Sequence, residues 1–481
     1  MPLTRKLGNG RRATVDGGFS LCPDGTVTSF ANPIIDAGVT GLGRLFADRA
    51  VTPVEACQAY LSRIDGLDGA LNAYVALDAE RALTDAHASA ERWKSGEARS
   101  LLDGAPIAVK ANIAVEGLPW HAGIGAYRDR MATADAACVA KLREHGAVIL
   151  GLVNMHEGAF GGTTDNHWFG KTHNPWRHGY TAGGSSGGSG AAVAAGLCAG
   201  ALGTDTLGSV RIPASYCGVY GHKPTQGLIS TEGVIALSWT LDHVGVLARS
   251  AQDCACLMAS ACGAEAELAQ VIAQPATLET LRQSPIAAID WGGRIEVEPE
   301  VARAFERAVQ TARAAGLTVE MLALPDYDFD EVFHLGWLIS AAESQVEHAE
   351  ALKSDPGGFS PMLHERLALG ASANAADLAR GYRRAAAIAE GVREAMSPYA
   401  AILMPTTPQV AFPFERGEPA PIPYFTAMAD ILGLPAAAFP TGATPEGLPL
   451  SVQALAWDDE TSLGLAELLG HPPGAPPDYR G

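Results

Sequence analysis

Two turns rich in glycine and serine carry the residues best suited to chemistry. They span residues 183–190 and 203–213, and an Ala/Val-rich segment separates them. A serine hydroxyl is a potential nucleophile once a base activates it, and glycines let backbone N–H groups approach a ligand closely. Successive turn N–H groups form a concave anion site. The pattern therefore suits the developing oxyanion of an acyl-transfer reaction or a bound phosphate.

Three further interpretations of these turns compete at this point. A nucleotide-binding loop needs G-x-x-x-x-G-K-[ST], which the sequence lacks. Gly184-x-Ser186-x-Gly188 fits the nucleophile elbow of α/β-hydrolases, but an elbow follows an apolar strand and residues 177–182 look polar and loop-like. A purely structural glycine-rich loop is the default interpretation of either turn alone.

The arrangement of Lys110, Ser185 and Ser209 resembles the amidase signature family. The two serines are 24 positions apart, which is the family's spacing, and Lys110 ends the segment 104–110. Further motifs of the family follow in the expected order, so that the resemblance covers roughly residues 40–465. These motifs are Asn154-Met155-x-Glu157, Asn174-Pro175-Trp176, Gly221-His222-Lys223-Pro224-Thr225, Leu241-Asp242-His243-Val244-Gly245, Met404-Pro405-Thr406 and Gly447-Leu448-Pro449 through Gln453.

The resemblance implies a catalytic triad without histidine. Ser209 would attack the amide carbonyl, Ser185 would relay the proton, and Lys110 would be the base. The peptide bond before Ser185 is cis in the family. Burial lowers the pKa of a lysine, which makes it usable as a base near neutrality. The resulting acyl-enzyme would then be hydrolysed by water.

The resemblance also implies an oxyanion hole built from backbone N–H groups next to the nucleophile. These groups belong to Thr206, Leu207, Gly208 and Ser209. Leu207 departs from the family, which usually has glycine there, and it requires a negative φ. Its side chain would add bulk near the site. We expect Asp205 and Arg211, which bracket the nucleophile, to brace this turn by an ion pair.

Two other features leave alternatives open. Asp430 stands where many family members have Asn in an Asn-x-x-Gly-Leu-Pro turn. Four aromatic residues near the motifs would either line a pocket or pack in the core. They are Trp120, Tyr127, Trp168 and Trp176.

Alternating strands and helices must position these residues. Short apolar runs predict strands at 105–109, 147–150, 286–289, 318–322 and 401–404. Capping signals and helical spacing predict helices that begin after Thr52 and cover 79–93, 136–145, 331–352 and 376–397. We therefore expect an α/β fold: one large domain, residues 37–481, with a central mixed sheet flanked by helices. Residues 1–36 would be an irregular extension.

The composition limits the classes of partner and cofactor that we expect for the chain. The 481 residues carry a net charge of −19, which argues against direct nucleic-acid binding. The 13 histidines show no ligand spacing, so we expect no metal and no cofactor. Scattered cysteines favour a cytoplasmic protein. No apolar run reaches the ~20 residues that span a membrane.

We expect an amidase that hydrolyses a linear carboxylic amide. Its partner would be a small-molecule amide, with a homodimer left open. The alternative is the amidase subunit of a glutamyl-tRNA amidotransferase, which releases ammonia from glutamine beside a partner chain. The motifs after Ser209 look more like a free-standing amidase. A non-catalytic binding protein is disfavoured because Lys110, Ser185 and Ser209 are all retained.

Overall fold

The computed structural model describes residues 29–264 and 274–478. Most of the predicted irregular extension, residues 1–36, lies outside the described residues. Its last four residues, Pro33–Asp36, form a short helix, because the Asn32 side chain accepts a hydrogen bond from the N–H of Ile34 and proline begins the helix. The domain boundary at residue 36 stays a prediction.

A mixed sheet of eleven strands forms the centre of the molecule. Its strand order is β1-β3-β2-β8-β10-β9-β14-β15-β13-β11-β12, and four short strands form two separate pairs. The strands of the described part are β1 (Tyr74–Leu77), β2 (Pro106–Lys110), β3 (Val148–Val153), β4 (Asp165–Asn166), β5 (Gly170–Lys171), β6 (His173–Asn174), β7 (Arg177–Thr181), β8 (Gly200–Asp205), β9 (Tyr220–Lys223), β10 (His243–Ala248), β11 (Ile286–Asp290), β12 (Val319–Ala323), β13 (Ala401–Pro405), β14 (Ala436–Ala443) and β15 (Pro449–Ala456).

Helices cover the sheet. Strands β2, β3, β8, β10, β13 and β15 are buried at every residue, as expected for strands whose two faces are both covered. The helices of the described part are α1 (Pro33–Asp36), α2 (Gly38–Ala47), α3 (Pro53–Leu71), α4 (Ala79–Ser95), α5 (Ala137–Glu144), α6 (Gly187–Ala194), α7 (Arg211–Cys217), α8 (Ala251–Ala261), α9 (Leu278–Leu281), α10 (Pro299–Ala314), α11 (Phe329–Ser354), α12 (Pro361–Ser372), α13 (Ala375–Met396), α14 (Ala427–Leu432) and α15 (Asp459–Leu469), with 3-10 turns at Gly125–Tyr127, Glu157–Ala159, Pro356–Gly358 and Phe414–Arg416. The predicted class, a single domain with a mixed sheet flanked by helices, is confirmed.

The topology brings the two ends of the predicted triad to one edge of the sheet. Strands β2 and β8 are parallel neighbours, so their carboxyl ends lie side by side. Lys110 is the last residue of β2, and β8 ends at Asp205, four residues before Ser209. The turn that holds Ser185 precedes α6. Gly188 at the start of α6 has no room for a side chain, because a Cβ there would lie 2.3 Å from the carbonyl oxygen of Asn154.

One local expectation is wrong. Residues 177–182 look polar and loop-like in the sequence, but Arg177–Thr181 form β7, which pairs with β6. This pair lies outside the central sheet. A polar strand forms here because the backbone hydrogen bonds of the pair, and not an apolar face, define it.

No helix of the described residues is both long and apolar enough to cross a membrane. Cytoplasmic location stays a prediction.

The start of α3 gives a stability test. The Thr52 hydroxyl accepts a hydrogen bond from the N–H of Glu55, and the Glu55 carboxylate accepts one from the N–H of Thr52. Thr52→Ala should lower the free energy of unfolding by about 0.5–2 kcal/mol, because a helix-capping acceptor is lost. Urea denaturation measures the change. Thr84→Ala, at an exposed position inside α4, is the matched control and should not lower the midpoint, because alanine is the better helix former; an equal loss in both variants would contradict the capping role.

Candidate active site

Lys110 lies in a fully buried polar contact at the end of β2. Its ammonium Nζ donates to the Ser185 hydroxyl at 2.7 Å and to the Thr204 hydroxyl at 2.7 Å. Burial lowers the pKa of Lys110 to about 7, although Asp242 and Asp205 act in the opposite direction. At neutral pH a large share of this lysine is therefore uncharged and able to accept a proton.

Ser185 follows the cis peptide bond that the resemblance implied, between Gly184 and Ser185. Its backbone is held on both sides. The Ser185 carbonyl accepts from the N–H of His156 at 3.0 Å, and the Thr164 hydroxyl donates to the carbonyl of Gly183 at 2.8 Å. These bonds fix the Ser185 hydroxyl next to Lys110.

Ser209 lies in the turn between β8 and α7 and is partly exposed, in contrast to the fully buried Ser185. Its carbonyl accepts from the N–H of Ser186 at 3.1 Å, which ties the two serine-bearing turns together. Between the side chains of Ser185 and Ser209, both within the described residues, no hydrogen bond is formed. The second step of the relay therefore stays a prediction.

A buried ion pair braces the Ser209 turn, as the sequence predicts. The Asp205 carboxylate accepts from the guanidinium of Arg211 at 3.0 Å through each oxygen. It also accepts from the backbone N–H of Gly208 at 2.5 Å and of Val210 at 3.1 Å. Burial by itself would raise the pKa of Asp205, but the Arg211 guanidinium holds it well below the usual range. The carboxylate stays ionised and organises the turn.

The brace changes the predicted set of oxyanion donors. The N–H of Gly208 already donates to Asp205, so it is not available to a substrate. Within the described residues, the N–H groups of Thr206, Leu207 and Ser209 have no protein partner. The φ of Leu207 is not positive, which agrees with the requirement of a residue that has a side chain. Gly208, in contrast, has φ 125°, and a Cβ there would lie 2.1 Å from the Thr426 hydroxyl. Glycine is thus required at 208 and not at 207.

Asp430 reaches the same guanidinium from the opposite side. Its carboxyl oxygen accepts from Arg211 at 2.7 Å. Burial and the neighbouring Asp205 raise the pKa of Asp430 well above its usual range. The side-chain oxygen of the asparagine common in the family is likewise a hydrogen-bond acceptor. Aspartate at 430 therefore keeps the acceptor that faces Arg211.

Ser209 lines a cleft whose walls are mainly apolar. Sequence reasoning missed most of these walls. They include Phe160, Ile212, Leu237, Trp337, Ile422 and Pro423, together with Leu207. The four aromatic residues singled out from the sequence are not among the lining residues. Trp120 and Trp176, for example, donate their indole N–H to the backbone carbonyls of Asn112 and Cys217.

One charged pair stands beside these apolar walls. Glu418 lines the cleft and accepts from the N–H of Gly162 at 2.5 Å and from Arg366 at 3.0 Å. The guanidinium of Arg366 lies 5.6 Å and 5.1 Å from the ring centroids of Phe160 and Trp337, two lining residues. Its second terminal nitrogen, Nη1, is buried and has no partner in the described part of the chain. Burial acts to raise the pKa of Glu418, but Arg366 lowers it overall, so the carboxylate is ionised.

The described residues bring together no group of three or more His, Cys, Asp or Glu side chains that could hold a metal ion. The absence of a metal and of a cofactor stays a prediction.

The amidase family model matches residues 55–463. Among curated proteins, a glutamyl-tRNA(Gln) amidotransferase subunit of Solidesulfovibrio magneticus is 34% identical over 91% of this chain and 97% of its own length. The same-named subunit of Ruminiclostridium cellulolyticum is 31% identical over 85% of this chain and 91% of its own length.

These relatives correct one expectation. We expected a small-molecule amide as the partner, with no direct nucleic-acid binding, no membrane and a homodimer left open. That is wrong, because the relatives are named as subunits of an amidotransferase whose name includes a tRNA. The acidic composition on which the expectation depended describes one chain and says nothing about an assembly.

Solved structures agree with the family model. A crystal structure of an amidase superposes with a TM-score of 0.81 at 32% identity, over 90% of this chain and 99% of that one. The glutamyl-tRNA(Gln) amidotransferase subunit of Thermotoga maritima superposes with a TM-score of 0.72 at 27% identity, over 89% and 98%. Together with the family model, these matches show that the chain belongs to the amidase signature family and is an enzyme that hydrolyses amide C–N bonds.

Proposed function

We propose that the chain cleaves its amide through an acyl-enzyme on Ser209. The observation that carries this proposal is the 2.7 Å contact between the buried Lys110 ammonium and the Ser185 hydroxyl. In the neutral form of Lys110, the proton moves from Ser185 to the lysine while Ser185 takes the proton of Ser209. The Ser209 oxygen then bonds to the amide carbon, and the C=O electron pair moves to oxygen.

The N–H groups of Thr206, Leu207 and Ser209 receive that oxyanion, because they are the donors of the turn that Asp205 leaves free. When the tetrahedral intermediate collapses, the C–N bond breaks and the leaving nitrogen takes a proton back through Ser185 from Lys110. Water then attacks the acyl carbon, with the same lysine accepting its proton, and Ser209 is released. The buried turn supplies fixed dipoles that need no rearrangement during the reaction.

We infer that the substrate is glutamine and that the chain is the ammonia-releasing subunit of a glutamyl-tRNA amidotransferase. Two observations support this. The relatives at 31–34% identity carry that name over nearly their whole length. The cleft is also lined by Glu418, an ionised carboxylate that complements the ammonium group of an amino acid. The released ammonia would serve a partner chain that holds the tRNA.

A second candidate is a linear carboxylic amide other than glutamine. It is favoured by the mainly apolar walls of the cleft and by the higher TM-score with an amidase, 0.81 against 0.72 for the amidotransferase protein. Ammonia release from glutamine and from pentanamide separates the two candidates. Co-purification with a second chain would add support for the role in an amidotransferase.

A serine-directed fluorophosphonate tests the nucleophile. The wild type should form one covalent adduct, and Ser209→Ala should form none, because the attacking oxygen is removed. Intact-mass spectrometry measures the adduct. Ser230→Ala, at an exposed position, is the control and should label at the wild-type rate. Equal labelling of Ser209→Ala would rule out Ser209 as the nucleophile.

The pH dependence tests the base. Since Lys110 must be uncharged to accept a proton, and its pKa is about 7, kcat/KM should fall about tenfold per pH unit below 7 and level off above it. Amide hydrolysis measured between pH 5 and pH 9 gives the profile.

Lys110→Ala should reduce kcat/KM by roughly 100- to 10,000-fold and remove the rise near pH 7, because no general base remains. Lys94→Ala, at an exposed position of α4, should keep both the rate and the profile. A Lys110→Ala variant with near-normal turnover would mean that another group is the base.

Glu418→Gln tests the substrate. Loss of a hydrogen bond to a charged group should raise KM for glutamine roughly 10- to 100-fold, while KM for pentanamide, which lacks the ammonium group, should change little. Steady-state ammonia release from both amides measures this. A parallel rise for both amides would show that Glu418 only supports the fold, and would favour the second candidate.

A further inference from the structure

We propose that Leu207 and Gly336 together form a size filter that restricts branching next to the reacting carbon. The inference rests on the proposed role of Ser209 and goes beyond it, because it concerns which substrates reach that serine. It starts from Leu207, whose side chain stands where the family usually has none.

Both the backbone and the side chain of Leu207 belong to the wall of the cleft. Its carbonyl accepts from the Thr426 hydroxyl at 2.6 Å. Its side chain is partly exposed and lines the cleft two residues before Ser209. Leu207 and Ser209 therefore belong to the same turn and to the same wall of the cleft.

The Leu207 side chain packs against Gly336, which lies inside α11. A Cβ added at Gly336 would lie 2.5 Å from Cδ2 of Leu207 and 3.2 Å from its Cδ1. Gly336 is buried and lies in the helix interior, where glycine is less stable than alanine by roughly 0.5–1 kcal/mol. Contact with Leu207 gives a physical reason for glycine at this position.

The neighbours of Gly336 on α11 belong to the same wall. Trp337 and Ser340 both line the cleft. Gly336, Trp337 and Ser340 thus lie within about one turn of α11, and the last two line the cleft together with Leu207. With the Leu207 side chain packed against Gly336, the cleft accepts an unbranched group beside the scissile bond and excludes a branched one.

The effects of substitutions at Leu207 and Gly336 should be coupled, and a double-mutant cycle measures this coupling. In the wild type, the methyl group of Gly336→Ala would displace the end of a flexible leucine side chain towards the cleft. Without that side chain, the same methyl group meets no obstacle. The effect of Gly336→Ala should therefore depend on which residue stands at 207.

The experiment compares di-n-propyl and diisopropyl fluorophosphate. These isomers differ only in branching next to the phosphoryl group, and their reaction with Ser209 does not depend on which amide is the substrate. The bond from Ser209 oxygen to phosphorus forms, and fluoride leaves with the serine proton. Second-order rate constants of labelling are measured for the wild type, Leu207→Gly, Gly336→Ala and the double variant, each checked for folding by its thermal unfolding midpoint.

The wild type should react with the linear isomer roughly tenfold or more faster than with the branched one, since a well-shaped apolar site discriminates at about this level for each methyl group. Leu207→Gly should bring the ratio close to one. Gly336→Ala should slow both reagents in the wild type and should have less than about a twofold effect in the Leu207→Gly background.

The two hypotheses fail in different ways. If the wild type reacts with neither isomer, Ser209 is not the nucleophile and the proposed function falls. If the wild type labels normally but Leu207→Gly leaves the ratio unchanged, only the size filter is wrong. Equal effects of Gly336→Ala in the wild type and in Leu207→Gly would show that the Leu207 side chain does not pack against Gly336.

Discussion

The buried ion pair between Asp205 and Arg211 is the interaction on which the rest of the site depends. Two charges without exposure to water are costly unless they are paired and fully hydrogen-bonded. Here Asp205 accepts from backbone N–H groups on the Ser209 turn, and Arg211 donates to Gln453 of β15 and to the carbonyl of Thr426 next to α14. The pair therefore fixes the nucleophile turn against two distant segments of the chain, and removal of either partner would leave an uncompensated buried charge.

The same charges set the chemistry of Lys110. A lysine in this position is desolvated, which favours its neutral form, while Asp205 and Asp242 favour the charged form. Arg211 moderates this attraction because it already neutralises Asp205. Burial also raises the pKa of Asp242 to about 6, which weakens its hold on the lysine below that pH. The Asp205–Arg211 ion pair and Lys110 are thus coupled electrostatically, although Lys110 and Arg211 have no contact.

Local signals in the sequence are sufficient for much of the framework. The capping box at Thr52 and the apolar runs of β2 and β13 are short-range patterns, and the structure has these elements within one or two residues of the predicted positions. The glycine and serine turns can likewise be recognised locally, because glycine and serine cluster within a few adjacent residues.

What the sequence does not indicate depends on long-range contacts. Arg366 and Glu418 lie on different segments and meet only in the folded chain, so that neither stands out alone. The occupied N–H of Gly208 depends on where the Asp205 side chain points. Leu207 can be recognised as a departure from the family, but its contact with Gly336 cannot. The proposed role in an amidotransferase cannot be inferred from the composition of one chain and depends on the names of its relatives.

The position of Lys110 at the end of β2 has a consequence for how the enzyme matures. In an extended chain this lysine is hydrated and carries its proton at neutral pH. It can act as the proposed base only after β2 has paired with β8, whose residues lie about 90 positions further along the sequence. Pairing across such a separation is slow compared with the formation of local contacts. A partly folded chain in which β2 and β8 are still unpaired would therefore lack the proposed base and could not yet hydrolyse an amide by the proposed mechanism.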